Sequence, residues 1–405
     1  MSAEVLPLQG ERWIVVAEED VLPANTGCRV DHRGFLQAVL ASGVDLVAVV
    51  PGRSVDIADY SAAFPGAHIV TIPRDERPTR HLSLRPYVVA SRPVPADLGD
   101  RLARFGPPTA VVSYSVRVAH IGAALAARHA VPHLVRCQNL DSRYFDDLAT
   151  GAGGARRVAY RVEAAKLRRF ERQLNTGGGV TAFADVSAEE AAQHRTRTAT
   201  PVIHVPSFAV PPEGIPADIP PAGARDGVLF LGSLDVETNQ QALVWFLDHA
   251  WPAVRSAVPD AVLRVVGRRP TGDVRARVAA APGAELHADV PEIDPYLHAS
   301  AVCVNPVRTG AGINVKLLDG IAGGCAAVST TPGAGGLDWR DGEELLVADE
   351  PDTFAAAVLR LLDDPALRTR LVANGVAYLQ DRLDPRRNTA RFAEAMGRPV
   401  RSTAP

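Results

Sequence analysis

The chain has 405 residues, of which 47% are hydrophobic and 22% charged, and its formal net charge is −3. This length suits two domains of roughly 200 residues that each bury a core, and the small negative charge argues against bulk binding of nucleic acid. No window of about 18 uncharged apolar residues occurs, and Met1 to Arg12 lacks a basic segment followed by an apolar one. We therefore expect a cytoplasmic protein.

Short apolar runs alternate with helical segments in the first half of the chain. Amphipathic helices are predicted at 31–42 and 115–129, among other places. The runs are apolar throughout, which is typical of parallel strands covered on both faces. They are 13–17, 46–50, 68–72, 110–113, 133–137, 180–184 and 202–205. This βαβ pattern predicts a doubly wound parallel α/β sheet.

A proline-rich segment follows, from Pro201 to Asp226. Because proline removes backbone donors and stiffens the chain, this segment is predicted to be a spacer between a first domain, 1–210, and a second, 211–383. The βαβ pattern then restarts, and a last helix within 384–400 is expected to pack back onto the first domain. The second set of apolar runs is 228–231, 261–266, 284–287, 301–304, 326–329 and 345–347.

One stretch of the second domain, 304–324, has the pattern of a strand, a glycine loop and a helix. Such a junction aims free N–H groups and the positive end of the helix dipole at the loop, where glycine lets an anion approach closely. Arg308 and Lys316 could flank a phosphate there. Asp319, on the same helical face as Lys316, could accept hydrogen bonds from the vicinal hydroxyls of a sugar.

Lys316 is notable because the chain holds only one other lysine, Lys166, among 43 Lys plus Arg. A lysine that escapes this bias inside a glycine loop is a candidate for function. The alternative is a lysine that snorkels at a helix start. The four cysteines form no CxxC pair, and reduced, buried thiols are expected rather than a zinc site. They are Cys28, Cys137, Cys303 and Cys325.

Several motifs together resemble the donor-binding domain of family-four glycosyltransferases of the GT-B fold, over about 226–380. They are Phe230-Leu231-Gly232-Ser233 with Asn239, Val265-Val266-Gly267, RTGAGINVKLLDGIAGG at 308–324 and VSTTPGAGGL at 328–337. The first domain matches more loosely, through 23–27 and 131–139. The resemblance implies two Rossmann-like domains facing across a cleft and a nucleotide-diphosphate sugar as co-substrate. It also implies a retaining transfer without metal or other cofactor.

The resemblance also implies a set of site residues, with Arg308, Lys316 and Gln138 in catalytic roles. The donor-binding residues would be Gly232, Ser233, Asn239, Gly267, Arg268, Val290, Thr309, Gly310, Ala311, Gly312, Ile313 and Asp319. The acceptor-binding residues would be Asn25, Gly27, Arg29, His32, Asp141 and Arg143. Asp141 could instead cap a helix, and the turn at 25–29 could be a plain helix start.

The sequence departs from the family pattern at several positions. Asp319 stands where the family usually has a glutamate, and Ala311 where it often has another. Ser233 and Thr238 lie close to the usual arginine and lysine, so Arg308 and Lys316 are expected to supply that charge. Gln138 replaces a common histidine. Because an amide cannot exchange a proton, Gln138 fits a positioning role.

Other interpretations stay open. The segment 155–174 is a basic amphipathic helix, which could touch an anionic membrane weakly or simply pack on its own sheet. A homodimer is a further alternative. The chain could also be an epimerase, a phosphorylase or a non-catalytic sugar-nucleotide-binding partner of another enzyme, since fold does not fix chemistry. The acceptor is undefined: a small molecule, a glycan or a lipid-linked sugar.

Overall fold

The computed structural model describes residues 7–22, 27–52, 55–138, 140–209, 225–309, 313–398 and 400. The chain divides into two compact units. Unit 1 is Met1–Pro212 together with Asp384–Pro405, and unit 2 is Glu213–Leu383. Each unit contains a parallel sheet with helices, so the predicted α/β fold class is confirmed. Residues 210–224, most of the predicted spacer, lie outside the described part of the chain.

Unit 1 is built on a parallel sheet with the strand order β3-β2-β1-β4-β5-β6-β7. Its strands are β1 (Arg12–Val16), β2 (Asp45–Pro51), β3 (His68–Ile72), β4 (Ala110–Ser113), β5 (His133–Cys137), β6 (Ala182–Asp185) and β7 (Val202–His204). Its helices are α1 (Gly27–Ala41), α2 (Ile57–Ala63), α3 (Tyr87–Ala90), α4 (Leu98–Ala103), α5 (Ala119–His129), α6 (Asp141–Gly151), α7 (Gly154–Thr176) and α8 (Ala188–Arg195).

Both faces of the unit 1 sheet are covered by apolar side chains. Alternate residues of β1 show this, because Trp13 and Val15 belong to the core on one face, while Ile14 and Val16 belong to the core on the other. This is why the strand is apolar throughout rather than alternating. The last helix, α16 (Pro385–Ala395), packs on α1, and the ring of Phe392 lies 5.0 Å from that of Phe35.

Unit 2 has a second parallel sheet, with the strand order β10-β9-β8-β11-β12-β13. Its strands are β8 (Asp226–Leu231), β9 (Leu263–Gly267), β10 (Ala284–Ala288), β11 (Ser300–Asn305), β12 (Ala326–Ser329) and β13 (Leu346–Val347). Its helices are α9 (Glu237–Trp245), α10 (Trp251–Ala257), α11 (Gly272–Ala280), α12 (Asp294–Ala299), α13 (Val315–Ala322), α14 (Pro351–Asp363) and α15 (Pro365–Arg382).

The observed elements differ from the predicted ones mainly at their ends. Helix α1 begins at Gly27 instead of residue 31, and α13 begins at Val315, which places Lys316 in its first turn. Strand β9 begins at Leu263 because the N–H of Ala261 closes a turn on the carbonyl of Val258 at 3.0 Å and does not join the sheet.

Among the described helices, none combines the length and the apolar composition that crossing a bilayer requires.

Candidate functional site

The predicted donor-binding residues of unit 2 gather at one edge of its sheet. Gly232 and Ser233 follow β8, Gly267 ends β9, and Asn305 ends β11 shortly before Arg308. These strands run parallel, so their carboxyl ends meet at the same edge. In open α/β sheets this edge is where ligands bind.

Close backbone packing at this edge requires glycine at position 267. A Cβ on Gly267 would lie 2.0 Å from the carbonyl oxygen of Gly232 and 2.7 Å from the side chain of Leu234. A Cβ on Gly232 would lie 3.2 Å from the side chain of Asn239. The two glycines therefore let β8, β9 and the start of α9 converge around Asn239.

Lys316 lies in the first turn of α13 with its ammonium group turned inward. Nζ donates a hydrogen bond to Asn239 Oδ1 at 2.6 Å and lies 5.8 Å from the ring centroid of Phe230. Asn239 in turn donates from Nδ2 to the carbonyl of Ser233 at 3.0 Å, which fixes its orientation. Burial lowers the pKa of Lys316 to about 8.

This arrangement differs from that of a snorkelling lysine, whose ammonium group reaches water. An ammonium group has three donors, and Asn239 takes one of them. Within the described ranges, no carboxylate pairs with Lys316. The site thus holds a desolvated cation with donors available to an anion.

Arg308 supplies a second cation to the same edge. Its guanidinium lies over the ring of Trp245, 5.2 Å from the centroid, and its side chain is exposed. Such stacking holds the flat group in place without neutralising it. No described residue forms an ion pair or hydrogen bond with the Arg308 side chain, and its planar guanidinium group carries five N–H donors.

Asp319 is three residues after Lys316 in α13. Burial, and to a smaller degree the nearby Asp294, raises the pKa of Asp319 to about 7. The described part of the chain offers its carboxyl group no hydrogen-bond partner. A half-buried carboxyl with unused oxygens matches the predicted role of accepting hydrogen bonds from hydroxyl groups.

The flanks of the glycine loop are tied together by side-chain amides. Asn305 Nδ2, before the loop, and Asn314 Nδ2, after it, donate to the carbonyl of Gly333 at 2.8 and 2.9 Å. Thr330 Oγ1 donates to the carbonyl of Val307. Because Asn314 is used in this way, its side chain does not cap the N terminus of α13. Among the described residues none accepts from the N–H groups of Val315 and Lys316, which suit an anionic acceptor.

The structure gives fewer contacts for the other predicted donor-binding residues. Arg268 lies near Ser233, with Nη2 3.4 Å from Oγ. Val290 and Ile313 are half-buried, and Thr309 is exposed. The loop residues Gly310, Ala311 and Gly312 lie outside the described residues, so their contacts stay a prediction.

In unit 1, Gln138 follows β5 and is attached to a buried network. Its Nε2 lies 3.4 Å from Asp31 Oδ2. Asp31 also accepts from Tyr114 Oη at 2.6 Å, from the N–H of Phe208 at 2.7 Å and from Arg136 at 3.2 Å. Arg136 is 0% exposed. Gln138 is thus held by a rigid charged pair, which agrees with a positioning role.

Two predicted acceptor-binding residues, His32 and Arg29, contact other side chains of unit 1. His32, expected to face the acceptor, is 3% exposed and stacks on Tyr114 with ring centroids 4.0 Å apart. Burial lowers its pKa to about 3, so the ring is neutral. Gly27 starts α1, Arg29 pairs with Glu19 at 3.1 Å, and Asn25 lies outside the described residues.

Asp141 is engaged by an ion pair that the sequence did not reveal. Its carboxylate lies 2.7 Å from Nη2 of Arg117, whose Nη1 lies 2.5 Å from Glu18. Burial opposes the charge on Glu18, yet Arg117 and Arg92 together lower its pKa. A signal was present, since Glu18 and Arg117 closely follow β1 and β4, and the carboxyl ends of parallel strands converge.

Arg143 lines a cavity of about 870 Å³ within unit 1, bounded by the end of β5 and helices α6, α7 and α8. Cys137 and His194 line it, and together with Asp185 they place one ligand atom each within 4.8 Å of one another. His194 also contacts Asn175, with Nε2 3.1 Å from Oδ1. Thiolate, carboxylate and imidazole are metal ligands. Their positions on three separate elements gave no spacing signal, and the expectation of a metal-free protein stays a prediction.

The predicted basic amphipathic helix is observed as α7. Glu163, Ala164 and Leu167 are buried, whereas Val158 and Val162 are exposed among the arginines. The cysteines form no disulfide; three are buried and Cys28 is half-buried.

Comparison with known proteins agrees with these observations. Residues 225–364 match the family model of glycosyl transferases group 1. An uncharacterised 44.6 kDa protein in the cps region of Klebsiella pneumoniae is 26% identical over 167 residues, which are 40% of this chain and 43% of that protein. The match thus spans less than half the length of this curated relative.

Solved structures resemble the chain over nearly its whole length. Sucrose-phosphate synthase from Thermosynechococcus elongatus has a TM-score of 0.66 at 16% identity, covering 95% of this chain and 98% of that one. HepE from Anabaena in complex with UDP-glucose has a TM-score of 0.64 at 12% identity, covering 95% and 99%. The second unit, over residues 225–364, is thus similar to the group 1 glycosyltransferases, and the chain has the GT-B fold.

Proposed function

We propose that this protein transfers a sugar from a nucleotide-diphosphate donor to a hydroxyl group of an acceptor, with retention of the anomeric configuration. The observation that supports this best is the pair of cations at the edge of the unit 2 sheet. Lys316 is hydrogen-bonded to Asn239, and the guanidinium group of Arg308 lies over the ring of Trp245. Within the described residues, no carboxylate forms an ion pair with either cation. Both cations lie within the matched domain.

The proposed chemistry explains why such cations are useful. The bond between the anomeric carbon and the diphosphate oxygen breaks, and negative charge builds on the departing diphosphate. Donors fixed in advance around that charge stabilise the transition state by several kcal/mol each. Arg308, Lys316 and the uncapped N–H groups of α13 would do so here. We propose that these groups replace a metal ion, so that transfer persists in the presence of a chelator.

The acceptor hydroxyl attacks the same face of the sugar that the diphosphate leaves. Its proton passes to an oxygen of the departing phosphate, and the products are the new glycoside and a nucleoside diphosphate. No side chain has to exchange a proton, which is compatible with an amide at position 138. Gln138, held by Asp31, would orient the reacting groups.

The comparisons suggest which compounds to test first. HepE was solved with UDP-glucose bound, so we propose a uridine diphosphate hexose as the first donor. The K. pneumoniae relative is encoded in the cps, or capsule, region, which favours envelope glycans and their precursors as acceptors. Asp319 would hold the ribose and unit 1 the acceptor.

A second candidate is a non-catalytic subunit that binds a sugar nucleotide and stabilises an active partner. The departures from the family pattern at Gln138, Ala311, Ser233 and Thr238 favour this reading, because related enzymes use other residues at these positions. Epimerase and phosphorylase activities remain rivals on the same fold. Product analysis with and without acceptor separates all of these from transfer.

The decisive experiment incubates the full chain with UDP-hexoses and a set of glycan acceptors, and follows the products by mass spectrometry and by NMR of the anomeric proton. Transfer with a retained anomer is expected. Arg308→Ala and Lys316→Ala should lose it while folding normally, whereas Arg277→Ala, which removes an exposed pair with Asp248 in the same unit, should not. Full activity in both site variants would refute the assigned roles.

A further inference from the structure

The cavity of unit 1 has a chemistry that the proposed function leaves unexplained. We call it the α6–α8 cavity; its volume is about 870 Å³, and it begins beside Cys137, the residue before Gln138. Pockets of 300 to 1,000 Å³ are the usual size for small-molecule sites. The cavity therefore has room for a molecule next to the residue that we expect to position the reaction.

Part of the lining of the α6–α8 cavity is apolar, and we call this part its floor; it consists of Val116, Leu140, Leu174 and Phe183. Other parts of the lining are polar, with Cys137, Ser142, Asn175, Gln193 and His194. Val116 and Phe183 belong to a small buried cluster of unit 1, and Leu174 packs against that cluster from the cavity side. An apolar group that covered this floor would be removed from water, which is favourable in proportion to the area buried.

The rim of the cavity is cationic. Four arginines line it, against two carboxylates: Arg143, Arg168, Arg172, Arg197, and Asp146 and Glu171. Both carboxylates already have partners. Asp146 pairs with Arg168 at 2.6 Å, and Glu171 accepts from the N–H and Oγ of Ser142 at 3.0 and 2.7 Å.

This leaves three arginines on the rim, Arg143, Arg172 and Arg197, that form no close ion pair with any residue the structure describes. Two of them still act on carboxyls at longer range: the charge of Arg197 opposes the rise that burial causes in the pKa of Glu171, and that of Arg143 does the same for Glu190. Arginines on a convex surface are usually just solvated. Here they surround a concave apolar floor. An anion in such a site would contact guanidinium groups on one side, and less water would compete for their donors than on an open surface. Guanidinium groups suit phosphate and carboxylate because their planar donors match both.

We infer that the α6–α8 cavity binds an amphiphilic anion, a molecule with an apolar body and a phosphate or carboxylate group, and that this molecule is the acceptor. The term "acceptor" rests on the proposed function, whereas the binding itself does not. The apolar body lies on Val116, Leu174 and Phe183, and the anion contacts Arg172 and Arg197.

Binding can be measured without donor or turnover, by titration calorimetry on the full chain with three probes. The first is n-octyl phosphate below its micelle concentration. Octyl glucoside has the same chain without charge, and inorganic phosphate has the charge without the chain. We expect octyl phosphate to bind at least tenfold more tightly than either of the others, because only octyl phosphate uses both the floor and the rim.

Matched variants locate the site. Arg172→Gln and Arg197→Gln should each weaken octyl phosphate binding about three- to tenfold, and Leu174→Ala should weaken it severalfold. Arg169→Gln, an exposed arginine of the same helix that does not line the cavity, should leave it unchanged. Equal binding of inorganic phosphate, equal binding of octyl glucoside, or an effect of Arg169→Gln as large as that of Arg172→Gln would each overturn the inference.

The two proposals fail separately. If octyl phosphate does not bind while UDP-hexose still does, the inference is wrong and the proposed transferase function stands. If octyl phosphate binds as described but no nucleotide sugar does, the cavity assignment holds and the proposed function is wrong.

Discussion

Lys316 Nζ and Asn239 Oδ1 are joined by a hydrogen bond of 2.6 Å that spans 77 residues of sequence. The bond points a buried ammonium group across the carboxyl edge of the unit 2 sheet. Because Asn239 is neutral, it orients the cation without cancelling its charge. This relationship makes the predicted diphosphate site testable in detail.

Substitutions of Asn239 should weaken donor binding in a defined order. Asn239→Ala removes the orientation of Lys316, and we expect a loss of about 1 kcal/mol, roughly fivefold in Kd. Asn239→Asp should cost more, because the new carboxylate pairs with the ammonium and repels the diphosphate. Titration calorimetry with UDP-glucose measures both. Tighter binding to the Asp variant than to the Ala variant would contradict the assigned role.

Donor affinity should depend on pH with a maximum between about 7 and 8. The pKa of Lys316 is lowered to about 8 by burial, so above this pH the free protein loses the ammonium charge that the diphosphate needs. Affinity then falls by up to about tenfold per pH unit. The pKa of Asp319 is raised to about 7, so below this pH its carboxylate is protonated and accepts hydrogen bonds less well.

Two variants separate the limbs of this profile. Lys316→Gln should remove the decline on the alkaline side, and Asp319→Asn the decline on the acid side. Each measurement is a UDP-glucose titration repeated across the pH range. An unchanged profile in both variants would show that other groups titrate.

The ionised carboxylate of Asp319 should lower the free energy of unfolding of the protein at pH values above about 7. The folded pKa is about 7, against 3.8 for the free group, so the folded state holds this proton more tightly than the unfolded state. Stability due to this group is therefore lost as pH rises from about 4 to 7. Asp319→Asn should raise the free energy of unfolding by about 2–4 kcal/mol at pH 8.

Denaturant unfolding at several pH values checks this prediction. The gain from Asp319→Asn should shrink steadily as the pH falls from 7 toward 4. A gain of the same size at every pH would instead indicate better packing, with no contribution from ionisation.

The buried pair of Asp31 and Arg136 should respond asymmetrically to substitution. Asp31→Ala leaves a guanidinium that is 0% exposed without its carboxylate, and we expect a loss of about 3–5 kcal/mol. Arg136→Leu leaves Asp31 bound by Tyr114 Oη and the N–H of Phe208, and it removes the donor to the carbonyls of Val205 and Pro206. Its loss should be smaller, because a buried neutral carbonyl without a donor costs less than a buried cation without its carboxylate. Thermal or urea unfolding of the two variants gives the comparison, and an equal or reversed order would contradict it.

The fold was largely predictable from the sequence because its strands are buried on both faces. β3, β4, β5 and β12 have the predicted bounds, because each is a run of mostly apolar residues that ends at a polar residue or a proline. The helix starts were less predictable. Asn314, for example, donates from its side-chain amide to the carbonyl of Gly333 and does not cap α13. This contact joins residues 19 positions apart, so the local sequence around Asn314 does not predict it.

From the sequence, site residues could be singled out only where their own type and local spacing were unusual. Lys316 and Asp319 stood out by type and spacing within one helix. Arg136, by contrast, lies in strand β5 between Val135 and Cys137, and its partner Asp31 is 105 residues away. Likewise, Arg117 joins Glu18 and Asp141 from three strand ends. Such pairs depend on which strands are neighbours in the sheet, which periodicity does not reveal.

The central claim is that Arg308, Lys316 and the start of α13 hold the diphosphate of an activated sugar. A crystal structure of the full chain with UDP-glucose bound tests it most directly. We predict phosphate oxygens within hydrogen-bond distance of Lys316 Nζ and the Arg308 guanidinium, with the ribose hydroxyls on Asp319. A nucleotide bound elsewhere, with both cations turned away from its phosphates, would contradict the account.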